Sequence, residues 1–188
     1  MRKVAFWSPK GGVGKTTLAI NVASAAYYDG KKVILCDMDK PQYSAADIFN
    51  DKKLPYSVFK GYPEVTPHVD LIVLDFSPRM DISLIGDTVV IPMRASILDM
   101  RAVNKAMKNV YHKSVVKCVN AVDTRRHDER LLALKMHSDG ARLVKDRSIY
   151  SRSILEGKSV FETDKYGSSE ARKEIISLYN KIWNLPEH

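Results

Sequence analysis

Two cysteines in 188 residues, Cys36 and Cys118, are too few and too isolated for a disulfide framework or a thiolate metal cluster. No apolar run reaches the roughly 18 residues that a spanning helix needs. The amino terminus has no signal-peptide layout, because its short apolar stretch runs straight into a glycine loop. Repeats, low-complexity tracts and dividing linkers are missing too. These absences exclude a stapled secreted scaffold, a helical membrane protein and a repeat array. They leave a globular chain, expected in the cytoplasm as a single domain over 1–188 with one sizeable core.

The apolar run Val4-Ala5-Phe6-Trp7 leads into Lys10-Gly11-Gly12-Val13-Gly14-Lys15-Thr16-Thr17. Three glycines in four residues permit backbone conformations that a Cβ forbids and let N–H groups converge on an anion. The stretch after them is helical in pattern, so its N-terminal dipole adds a field that favours negative charge. A triphosphate is the natural guest, with Lys15 on its β- and γ-phosphates and the Thr16 hydroxyl on Mg²⁺. Pro9 stands where the usual loop has its first glycine, and Lys10 adds a second lysine five residues before the usual one.

Short β-branched runs at 3–8, 33–37, 70–75, 88–92 and 115–120 predict strands. Helical patterns cover 15–29, 97–113, 126–138 and 168–184, and the third places Leu131, Leu134 and Lys135 with Leu132 near one face. This alternation predicts an α/β fold, a mostly parallel central sheet with helices on both faces. The proline-bearing segment 51–68 reads as a compact connection. Two strands deliver carboxylates to the sheet edge where ligands of open α/β sheets bind: Asp37 and Asp39 after Val33-Ile34-Leu35, and Asp75 after Leu71-Ile72-Val73-Leu74. Such groups hold a metal ion directly or through water, or aim an attacking water. Asn120 ends another strand, and Ala121 after it breaks the Asn-Lys-x-Asp pattern of guanine readers, favouring ATP over GTP.

Net charge is +8, unevenly spread: residues 1–100 hold 12 Lys/Arg against 11 Asp/Glu, and residues 101–188 hold 18 against 11. A basic C-terminal half suggests a polyanion partner, most simply the DNA backbone.

At Lys10–Thr17, and in patches to the last helix, the sequence resembles the ParA/MinD family of deviant Walker A ATPases, in particular the short ParA proteins that segregate plasmids. The resemblance implies a P-loop fold of that type and an ATP-sandwich homodimer in which Lys10 reaches the phosphates held by the partner. It makes Lys10, Lys15 and Asp39 catalytic, with Asp39 positioning the hydrolytic water. Gly11, Gly12, Val13, Gly14, Lys15, Thr16, Thr17 and the adenine reader Asn120 would bind nucleotide, and Thr16, Asp75 and Asp37 would serve Mg²⁺. It further implies slow, partner-stimulated hydrolysis, non-specific DNA binding, a nucleoid location and a ParB-type adaptor. Arg147, Arg152, Lys158, Arg172 and Lys173 are the candidate DNA contacts. The chain departs from the family pattern at Lys40, inserted before Pro41-Gln42, and at Phe76-Ser77-Pro78-Arg79. A MinD-like membrane-positioning ATPase and a nucleotide-latched binding module with negligible turnover stay open as alternatives. The stripe Ile175, Leu178, Tyr179, Ile182 and Trp183 on the last helix has no cationic bias on its polar face, which favours core packing over lipid.

Overall fold

The computed structural model describes residues 1–40, 44–49, 54–79, 86–110 and 113–186. The Pro41-Gln42 pair and residues 51–53 of the proline-bearing connection lie outside these. In chain order the elements are β1 (Arg2–Phe6), α1 (Lys15–Tyr28), β2 (Val33–Asp37), α2 (Ser44–Phe49), β3 (Ser57–Lys60), β4 (Leu71–Asp75), β5 (Thr88–Met93), α3 (Ile97–Ala106) with a 3₁₀ turn to Asn109, β6 (Ser114–Val122), α4 (His127–Ser138), β7 (Arg142–Lys145), α5 (Ser148–Leu155) and α6 (Ser168–Trp183).

The seven strands form one sheet in the order β3-β2-β4-β1-β5-β6-β7, and every pairing is parallel. The middle strands are apolar at nearly every position because helices cover both faces. On one face α1, α5 and α6 pack over Val4, Phe6, Leu35, Val73 and Val90. On the other, α3 and α4 cover Ala5, Ile34, Ile72, Leu74, Val89 and Ile91. Helix α1 is apolar around most of its surface and lies between the sheet and α6, with Leu18, Ala19, Ile20, Val22 and Ala23 fully enclosed. The buried Arg2 guanidinium donates to the carbonyls of Ile182, Trp183 and Leu185 at 2.6, 2.6 and 2.9 Å, closing the C-terminal end of α6.

All five predicted strands are present, but the sheet is wider than expected. β3 lies inside the segment taken as a plain connection, and β7 and α5 carried no assignment. Helix α3 stops well short of 113, since residue 113 leads directly into β6. Helix α4 also turns differently: Leu131 and Leu134 are each 51% exposed, while Ala133 and Met136 face the sheet. Both cysteines are free and buried, and burial pushes each thiol up to about 12.

Candidate functional site

Strand β1 sits between β4 and β5, at the point where successive connections run to opposite sides of the sheet, and the crevice beyond its C-terminal end is where such sheets take ligands. The glycine loop occupies that position. Gly12 (φ 69°) and Gly14 (φ 90°) are left-handed, a conformation that a Cβ penalises. Gly14 is closed in as well, since a Cβ there would lie 2.1 Å from Asn120 Nδ2. That amide donates to the Val13 carbonyl at 2.9 Å, and Arg94, just past β5, donates through Nη2 to the Gly12 carbonyl at 3.1 Å. Neighbouring strands thus hold the loop as it enters α1.

Inside the loop, the largely buried Lys15 donates to the Lys10 carbonyl at 3.3 Å. Burial pulls its pKa below the usual lysine value, against the opposing pull of Asp75 and Asp39. Thr16 Oγ1 donates to Asp75 Oδ2 at 2.6 Å. The other oxygen, Asp75 Oδ1, is buried without a hydrogen-bond partner among the described residues. Burial, helped by Asp37 and opposed by the Thr16 bond and Lys15, pushes Asp75 up to about 7. An orphaned carboxylate oxygen beside a threonine hydroxyl is a hard-donor pair suited to Mg²⁺. Asp37 is engaged otherwise: its oxygens accept the N–H groups of Asp39 at 3.1 Å and Ala46 at 3.0 Å. These bonds fix the turn that carries Asp39, which lines the cleft.

Lys10 points to its own chain. Its Nζ lies 2.5 Å from Asp99 Oδ1 on α3. Asp99 also accepts the Arg94 N–H at 3.0 Å and the Ser96 hydroxyl at 3.1 Å. Burial alone would raise its pKa, but these donors outweigh burial and hold the carboxyl below its usual value.

The cleft, about 650 Å³, runs from Gly11, Lys15 and Thr16 past Asn120 and Ala121 to Asp146, Arg147, Tyr150 and Ser151 after β7. The sequence reading missed Arg94, Asp99, Asp146 and Tyr150. Their one common signal is position, close behind a strand at the ligand-bearing edge. Three of the five basic candidates have internal partners: Arg147 pairs with Glu174 at 2.8 Å and lines the cleft, Arg172 binds the Val160 and Thr163 carbonyls and Asp164, and Arg152 donates to the Ser148 hydroxyl at 3.3 Å. Arg152 and Lys173 are exposed and Lys158 is half-buried. Ile175, Leu178, Tyr179 and Ile182 of α6 lie in the core. Among the described residues no helix is long and apolar enough to cross a membrane.

A phosphate-type glycine loop at the switch point of an all-parallel sheet defines a P-loop nucleotide-binding protein. The chain matches the CobQ/CobB/MinD/ParA nucleotide binding domain over residues 4–170 and belongs to that family. It is 26% identical over 202 residues to the maintenance of carboxysome distribution protein A of Halothiobacillus neapolitanus, with 92% of each chain covered. Its fold is similar to that of a plasmid partition protein of Borrelia burgdorferi B31 bound to AMPPNP (TM-score 0.76, 20% identity, 96% of this chain and 99% of that one). It is also similar to the septum site-determining protein MinD of Pyrococcus horikoshii complexed with Mg-ADP (TM-score 0.71, 15% identity, 97% of each).

Proposed function

We propose that this chain is a ParA-like ATPase that closes as a homodimer around two ATP molecules, binds DNA without sequence preference in that form, and hydrolyses slowly to segregate a plasmid or other mobile DNA through a ParB-type adaptor. The observation that supports this most is the division of labour in one loop. Lys15 lies inside its own cleft beside Asp75, while Lys10 leans outward onto α3 with its side chain 41% exposed.

The chemistry asked of the residues is positioning and charge neutralisation. Lys15 would exchange the Lys10 carbonyl for the phosphates, and the loop amides would surround them. Thr16 and Asp75 would hold Mg²⁺, which when bound neutralises charge on the transferred phosphoryl group. Asp39 would orient the attacking water, held in place by the turn that Asp37 pins. Lys10 would leave Asp99 to meet the nucleotide of a second protomer. Asn120 serves the loop through its amide nitrogen, and its oxygen would accept from the adenine amine.

The basic C-terminal half supports a DNA partner, with Arg152, Lys173 and Lys158 as the residues placed to act. Lys15→Ala should abolish AMPPNP binding, and Lys10→Ala should bind nucleotide but stay monomeric by light scattering. Equal ATP-dependent dimerisation of Lys10→Ala and wild type would overturn the assignment. DNA binding should need ATP and fade steeply as salt rises. Co-sedimentation with liposomes in place of DNA binding would transfer the reading to a membrane-positioning ATPase.

A further inference from the structure

We infer that Arg94 is a positioning residue of this cleft: it reaches over from β5 to hold the Gly12 carbonyl and so sets the phosphate loop for its anion. The inference rests on the reading of the cleft as a triphosphate site. A loop with three glycines is free to bend, and that freedom must be removed before its N–H groups can converge. Two side chains from outside the loop act on consecutive carbonyls, Arg94 on Gly12 at 3.1 Å and Asn120 on Val13 at 2.9 Å. In a trans peptide the carbonyl and the next N–H point in opposite directions. Fixing those two carbonyls therefore turns the N–H groups of Val13 and Gly14 away from the clamping side chains, toward the side where a phosphate would lie.

Arg94 is itself well founded for this. Its stem leaves the end of a central strand, and its own N–H is fixed on Asp99 Oδ2 at 3.0 Å, the carboxylate that also takes Lys10. The residue after Asn120 offers no substitute. Ala121 has a left-handed φ of 53° and no side-chain donor, and with Arg94 and Asp146 it lines both the cleft and an adjoining recess of about 320 Å³. The second donor to the loop thus comes from β5, while the strand that supplies Asn120 gives only one. The Arg94–Gly12 contact is solvent-exposed and outside both cores, so its loss acts on the loop and leaves the fold intact.

The test compares wild type, Arg94→Ala and Arg94→Lys by titration calorimetry with Mg²⁺–AMPPNP, alongside the thermal midpoint of each ligand-free protein. Arg94→Ala should bind about tenfold more weakly with its midpoint within about 2 °C of wild type, as expected for one lost charge-assisted hydrogen bond at an exposed site. Arg94→Lys should recover most of that loss, because an ammonium reaches the same carbonyl. Wild-type affinity in Arg94→Ala, an Arg94→Lys protein no tighter than Arg94→Ala, or a midpoint that falls in step with affinity would each overturn the inference. Should wild type itself bind no AMPPNP, the nucleotide reading fails; should wild type bind and Arg94→Ala bind equally, only the role of Arg94 falls.

Discussion

Asp75 concentrates the conflict between folding and function in one side chain. A carboxylate that is to hold a cation must be charged, yet this one is 3% exposed and has an oxygen without a partner among the described residues. Its folded pKa of about 7 lies above the reference 3.8. Its contribution to stability is therefore complete below the reference value and is lost as pH climbs through 7. Asp75→Asn should thus stabilise the ligand-free protein at pH 8 by roughly 2 kcal/mol, with the gain fading toward pH 5, as measured by urea unfolding at both pH values. The same variant should lose the magnesium dependence of nucleotide binding. A variant less stable than wild type at pH 8 would show that burial does not strain this carboxylate. Gly14 offers a second test, because its φ of 90° and the 2.1 Å approach to Asn120 Nδ2 leave no place for a methyl group. Gly14→Ala should lower stability by about 1–2 kcal/mol and abolish AMPPNP binding by dislodging Asn120, which a calorimetric titration would register. The loop was legible from sequence because its chemistry is local. Arg94 and Asp99 were not, because they meet Gly12 and Lys10 across more than 80 residues of chain.

At the level of elements, the readable strands were those buried on both faces, which appear as unbroken apolar runs. β3 and β7 escaped because each is a four-residue edge strand with exposed positions, so neither a run nor a clean alternation marks it. In α4 the spacing of the leucines suggests an apolar face, but Ala133 and the flexible Met136 are the residues buried there; Leu132 packs at the margin, and Leu131 and Leu134 are exposed. Helix α6 shows the opposite case, in which its stripe was read correctly and its cap was not. The cap is Arg2, whose guanidinium serves three carbonyls at the far end of the chain and lies 5.1 Å from the Trp183 ring. Arg2→Met keeps the apolar stem and removes the charged donors that the Ile182, Trp183 and Leu185 carbonyls share. Chemical denaturation should show a loss of about 2 kcal/mol, and a loss near zero would mean that water replaces the arginine.

For the molecule as a whole, the proposed function gives the two lysines of the loop an order of events. In one protomer Lys10 is paired with Asp99, whose carboxyl is held below its usual value and so stays charged across the physiological range. Its stabilising share is present above the reference pKa and is lost only as pH falls well into the acid range. A lysine held in this way is unavailable to a second protomer until the pair opens. With Lys10 41% exposed, opening costs about 1 kcal/mol or less, a barrier that the triphosphate of a partner offsets easily. In the proposed dimer the pair would therefore act as a weak brake on association. Asp99→Asn removes the charge but keeps an oxygen for the Arg94 N–H, while its amide nitrogen can donate to the Ser96 hydroxyl. In saturating AMPPNP it should reach half-dimer at a protein concentration several-fold to roughly 25-fold below wild type, by light scattering across a dilution series, since about 1 kcal/mol or less is saved in each of two protomers and each such saving is up to a roughly fivefold change in an equilibrium constant. Lys10→Ala should stay monomeric over the same range, and the double variant should behave like Lys10→Ala. If Asp99→Asn and wild type dimerise at the same concentration, the contact on α3 does not compete with the partner's phosphates, and Lys10 reaches its second position without leaving the first at any cost.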